Sequence, residues 1–190
     1  KEPTKIAIEA VTDAAPDITR VVLEKATDIH FTPDGLQMAF ISGGDVWVMD
    51  TELKEPRRVT QTAEEEREIL FSPDAKTLVF VSDAGGQTDL WKAVPGDEKK
   101  PWWENASFKL AKLTNDEQVE ARPQFTRDGK KLAWLRDHGD LMLADADGKN
   151  AKRLLESWNP LSFEFSPDGT WIVYSQEDES FNDDIWLMPV

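Results

Sequence analysis

Phe165-Ser166-Pro167-Asp168-Gly169-Thr170-Trp171-Ile172-Val173-Tyr174-Ser175, followed after the acidic loop 176–183 by Asp184-Ile185-Trp186-Leu187-Met188-Pro189-Val190, decides the fold. The Ser-Pro-Asp-Gly step suits a tight reversal: Pro presets its dihedral, Asp bonds the backbone that follows it, and Gly accepts a positive φ. Two short apolar runs follow the turn, the second opening with Asp. Neither shows helical spacing, so they read as the two strands of a hairpin.

The same pattern recurs upstream in Phe31-Thr32-Pro33-Asp34-Gly35, Phe71-Ser72-Pro73-Asp74-Ala75 and Phe125-Thr126-Arg127-Asp128-Gly129. The four Phe residues lie 40, 54 and 40 positions apart, one interval being lengthened by 14 residues. Each turn precedes an apolar run: Met38 to Ile41, Leu78 to Val81, Leu132 to Leu135, Ile172 to Tyr174. Each run precedes a second that opens with Asp45, Asp89, Asp140 or Asp184. In three copies a basic-then-apolar run comes last: Arg57 to Thr60, Lys109 to Thr114, Lys152 to Leu155. A repeat of about 40 residues with four antiparallel strands makes a blade, and blades packed face to face explain runs that are apolar at almost every position. The expected fold is an all-β propeller of four-stranded blades starting near residues 28, 68, 122 and 162, with an insertion at 97–110. It is either closed at four blades or part of a larger ring. Residues 1–17 read as an extension or a strand of an adjoining blade, and 18–190 as the propeller repeats.

Four expectations follow. The Phe residues ending the first strands occupy equivalent buried positions near the axis. Trp47, Trp91 and Trp186 form core between blades, and the recurrent Asp residues cap their hairpins by bonding backbone. Ile18 to Leu23 has the outer-strand pattern without a blade of its own, so it either completes the fourth repeat or belongs to a blade upstream; the open arrangement is favoured because few propellers close at four. Starting at Lys1 rather than Met, the chain reads as a processed protein or as a piece of a longer one.

Composition narrows function. With 37 Asp and Glu against 22 Lys and Arg, the net charge is -15, which repels nucleic acid and anionic lipid and favours cationic peptides. There is no cysteine, hence no disulfide, thiolate metal site or cysteine nucleophile. No apolar stretch is long enough for a membrane-spanning helix, and no cofactor motif is present. Serine hydrolysis needs a base, yet the only two histidines, His30 and His138, stand near no Gly-x-Ser-x-Gly elbow.

Candidate binding residues come from features the repeat does not absorb. His30 lies on an innermost strand and His138 in a hairpin loop. The loop 177–184 contains Asp178, Glu179 and Asp183 among its carboxylates, but lacks the Gly and terminal Glu of a calcium hand loop. Trp102 and Trp103 are adjacent in the insertion and cannot both point inward from an extended segment, so one covers a blade edge and the other marks a contact surface. Glu65, Glu66, Asp116, Glu117, Asp178 and Glu179 are expected around the channel mouth.

The phrases Phe165 to Ser175 and Asp184 to Val190 resemble the repeat of TolB-type propellers, over about residues 18–190. The basic-apolar outer strand and the acidic-then-Asn loop before Asp184 are most similar to the N-terminal propellers of tricorn-like peptidases of bacterial envelopes. Ala75, Arg127 and Met142 depart from the repeat. The resemblance implies a periplasmic or extracellular, non-catalytic module that binds or channels a protein or peptide, with any catalytic serine elsewhere in the full protein. Two other readings stand beside it: a metal-dependent catalytic propeller acting on a polysaccharide or small ester, and a structural module that assembles, with itself or another chain, through open blade edges.

Overall fold

The computed structural model describes residues 23, 25–159, 161–178 and 180–190. Its fifteen strands run as four antiparallel meanders in chain order. The first blade holds β1 (Thr27–Phe31), β2 (Gln37–Ser42), β3 (Asp45–Asp50) and β4 (Arg57–Arg58). The second holds β5 (Glu66–Phe71), β6 (Leu78–Ser82), β7 (Asp89–Pro95) and β8 (Phe108–Lys112). The third holds β9 (Glu120–Phe125), β10 (Lys131–Arg136), β11 (Asp140–Asp145) and β12 (Lys152–Leu155). The fourth is a three-stranded sheet of β13 (Ser162–Phe165), β14 (Trp171–Glu177) and β15 (Asp183–Pro189). Residues 1–17 and most of Ile18 to Leu23 lie outside the described residues.

The turns are built as the sequence predicts. Gly35 N–H donates to the Thr32 carbonyl at 2.8 Å, and Asp34 accepts from the Thr32 hydroxyl at 2.6 Å and from Leu36 N–H at 3.0 Å. Arg127 in place of Pro leaves this intact, since Gly129 N–H still reaches the Thr126 carbonyl at 2.9 Å. Ala75 takes the left-handed position at φ +56, where Gly169 sits at +70.

Core lies between blades rather than within them. Ala39, Ile41, Val46 and Val48 of the first blade meet Phe71 and Phe80 of the second; Val79, Val81 and Leu90 of the second meet Phe125 and Trp134 of the third; Leu135, Leu141 and Leu143 of the third meet Phe163 and Ile172 of the fourth. Each blade thus lays its aromatic face on the aliphatic face of the blade before it. This corrects the reading of the four Phe residues as equivalently buried. Phe71 and Phe125 are buried between blades and Phe165 partly so, but Phe31, with no earlier blade among the described residues, is 50% exposed.

The recurrent Asp residues also do something other than cap hairpins. Asp45 pairs with Arg58, and Asp89 pairs with Lys112 at 2.6 Å; Arg58 and Lys112 lie opposite Trp47 and Trp91 in the sheet and sit 5.7 and 5.4 Å from the indole centroids. Two residues beyond each cation a threonine accepts the N–H that follows the Asp, Val46 to Thr60 at 2.8 Å and Leu90 to Thr114 at 2.9 Å. In the third blade Asp140 pairs with Arg153, which lies opposite Met142. The basic outer strand is therefore clamped onto the third strand by its cation, which explains the Asp and the cation together. Trp47 and Trp91 are half-buried under this clamp; Trp186, read as core, is 52% exposed because no fourth strand covers it among the described residues.

Candidate functional site

Two surfaces result from this arrangement, an axial face of first strands and a face of hairpin loops. On the axial face, a bulge in β1, β5 and β9 places Asp28, Glu68 and Arg122 in the left-handed region, φ +49, +54 and +51. The three form a relay from blade to blade: Asp28 accepts Glu68 N–H at 3.0 Å, Glu68 accepts Arg122 N–H at 2.5 Å, and the Arg122 guanidinium donates to the Leu161 carbonyl at 3.1 Å. Non-Gly residues at such dihedrals cost about 1–3 kcal/mol each and persist where surrounding contacts over-determine them. Beside them His30 Nδ1 accepts Phe71 N–H at 3.2 Å, which leaves Nε2 as the site of the proton; burial lowers its pKa and favours this neutral ring. His30, Leu70 and Gln124 line a cleft of about 440 Å³ here.

On the opposite ends of the blades, each hairpin loop lies against the connection from the preceding blade. Asp137 accepts Val119 N–H at 3.1 Å, Asp83 accepts Glu65 N–H at 3.0 Å, and Asn159 donates to Glu177. Between the hairpin loop and the outer-strand end of the third blade this face opens a cavity of about 340 Å³ lined by Asp137, His138, Asp140, Arg153, Glu156 and Trp158. Trp158, 55% exposed, meets Phe181, 76% exposed, edge to face at 6.5 Å. The cations nearby are engaged: Arg153 with Asp140 and Glu156, Arg136 with Asp116 and Glu120. An exposed aromatic pair on a face where each nearby cation is shared between two carboxylates suits an apolar or cationic side chain.

The candidate residues fall in three places. His138 lines the cavity; Asp178 lies on the loop that carries Phe181, Asp183 opens β15 just after it, opposite Glu177, and Glu179 is outside the described residues. The Asp178 carboxylate accepts from Ser180 and Asn182 N–H at 2.7 and 2.9 Å, bonds that hold its pKa down and commit it to its own turn. His30 is on the axial face. Trp102 and Trp103 lie on a single 3-10 turn, outside the cavity of His138 and separated from His30 by the Phe71 ring. Trp102, 2% exposed, packs on Phe71 and Phe108, donates its indole N–H to Ala75 at 2.7 Å and joins the first two blades; Trp103 is half-buried, its carbonyl accepting from Arg57. Glu66, expected at the channel mouth, is instead buried under hydrogen bonds from Thr60, Thr62 and Ser82. Among the described residues no three His, Asp or Glu converge as a metal site. Trp158 and Phe181 escaped the sequence reading, although both stand outside the repeat.

Four consecutive, face-packed antiparallel meanders, three of four strands and one of three, define a β-propeller fold. The chain belongs to the TolB beta propeller domain family (PD40), whose pattern matches residues 19–180. It is 23% identical to an uncharacterized peptidase, YuxL, of Bacillus subtilis, over 92% of this chain and 33% of that protein; the chain thus spans about a third of the relative it matches. The fold is similar to that of TolB from Acinetobacter baumannii (TM-score 0.64, 24% identity, 85% of this chain, 40% of that one). It is also similar to the tricorn protease (TM-score 0.63, 17% identity, 86% of this chain, 15% of that one). No helix among the described residues is long and apolar enough to cross a membrane.

Proposed function

We propose that this chain is a non-catalytic module that binds or channels a protein or peptide, as a segment of a tricorn-like peptidase or TolB-like envelope protein in the periplasm. The observation that carries this reading is the exposed Trp158–Phe181 pair beside the cavity holding His138, on a loop face that also bears Glu65, Asp116, Glu117, Asp137, Glu156 and Asp178. Aromatic anchors supply contact area, and the carboxylates select the charge of the partner. Paired Lys-rich and Glu-rich peptides with a central Leu, titrated at low and high salt, test it. The Lys-rich peptide is expected to bind, to weaken as salt is added, and to weaken by about five- to tenfold in Trp158→Ala. Equal binding of both peptides, or no effect of Trp158→Ala, contradicts the assignment.

A further inference from the structure

The first three blades share one cleft on the axial face, at the ends of their first strands. Its volume is about 440 Å³, and Leu70, Phe71 and Phe125 supply its apolar walls. Two residues there break the repeat. Where the first and second blades place Pro33 and Pro73 in the turn, the third has Arg127; where the second has Leu70 before its Phe, the first has His30. Arg127 forms no ion pair among the described residues. His30 commits Nδ1 to the Phe71 N–H at 3.2 Å, which leaves its Nε2–H as a donor, and its ring lies 6.2 Å from that of Phe71. Among the described residues no Asp or Glu lines the cleft, although the chain carries 37 of them. The loop-face cavity has the opposite lining, with Asp137, Asp140 and Glu156. The cleft spans the two junctions between these three blades, each of four described strands, rather than an edge of the blade series.

We propose that this axial cleft binds a small carboxylic acid with an apolar body, the carboxylate taken by the Arg127 guanidinium and the His30 Nε2–H and the body resting on Phe71 and Phe125. Small-molecule sites are concave and mostly apolar, with few polar groups to fix orientation, and about 440 Å³ lies within their range. A guanidinium offers a carboxylate two parallel N–H donors, so recognition is directional as well as ionic. Selection of an anion has to be local, because the net charge of -15 repels anions from the surface as a whole. A cationic ligand meets Arg127 with no carboxylate to offset it, which excludes the class that suits the loop face. The two sites therefore stand or fall independently.

The probe is 3-phenylpropanoate, titrated into the full 190-residue chain and followed on the imidazole proton resonances. The chain has two histidines, and His138, in the loop-face cavity, serves as the internal control. His30 is expected to shift saturably while His138 stays still, and the neutral 3-phenylpropanamide to bind about tenfold more weakly, the effect of losing one charge-assisted bond. Arg127→Pro installs the turn residue of the other three blades and so keeps the fold; it and Arg127→Gln should each weaken the acid about tenfold and leave the amide unchanged. A merely structural Arg127 would not separate acid from amide. Equal affinity for acid and amide, unaltered acid affinity in both variants, equal shifts at His138, or no shift of His30 at about 5 mM acid overturns the proposal. So does binding of an N-acetylated peptide ending in Phe without binding of the free acid, which would mark a peptide terminus as the ligand.

Discussion

Leu141 and Ile185 hold the same place in the third and fourth blades, directly after the recurrent Asp of the third strand, yet Leu141 is wholly buried and Ile185 is 80% exposed. The difference comes from the neighbours. Leu141 has the fourth blade laid over it, whereas nothing among the described residues covers Ile185. Burial in this fold is a property of blade pairs, and a blade's strands are apolar on both faces because each face is written for a neighbour.

That contrast is sharpened most by paired truncations. Leu141→Ala is expected to cost about 2–5 kcal/mol by transfer and cavity terms, and Ile185→Ala less than about 0.5 kcal/mol, measured by urea unfolding. Equal losses would mean that Ile185 is covered in solution. The clamps give a second pair. Asp89→Ala removes a buried carboxylate that holds Lys112 and Thr114 and is expected to cost about 2–4 kcal/mol, while Asp184→Ala leaves stability unchanged. A similar cost at both positions would mean that Asp184 is paired in solution.

The junction between the second and third blades adds a pH dependence. Burial raises the Glu120 pKa to about 7, against the opposing pull of Arg136. A carboxyl whose folded pKa lies above its unfolded value holds its proton more tightly in the fold. The contribution of Glu120 to stability is therefore greatest below the ordinary carboxylate range and falls as pH rises from about 4.5 to about 7, by about 1–3 kcal/mol. Burial raises Glu66 too, and with the same sign. Glu120→Gln should flatten much of this slope; a profile parallel to that of the parent protein would refute the assignment. The smallest effect lies in the turns. Gly169→Val, at φ +70, should cost about 1 kcal/mol, and Ala75→Gly, at φ +56, should gain up to about 1 kcal/mol, both read by melting.

The turns and strand order were legible in the sequence because Pro, Asp and Gly act locally: Asp34 and Asp74 bond within two residues of themselves. The clamps were half legible. Asp45 and Arg58 each stood out by repetition, but their partnership links positions 13 residues apart across two strands, which spacing alone does not reveal. Phe31 and Trp186 were misread because their burial depends on neighbours rather than on their own segments. The Trp158–Phe181 pair joins two loops of different blades, and no local pattern connects residues brought together by blade packing. Trp102 and Trp103 were read as part of an extended segment, whereas they lie on a 3-10 turn closed by the Asn105 N–H on the Trp102 carbonyl.

The central claim, that cohesion here lies between blades, is tested most directly by native-state amide exchange of the 190-residue chain. Leu141 and Leu143 are expected to exchange only with global unfolding, while Ile185 and Leu187 exchange near the rate of an unstructured chain. Exchange at Leu141 and Leu143 as fast as at Ile185 and Leu187 would contradict the account.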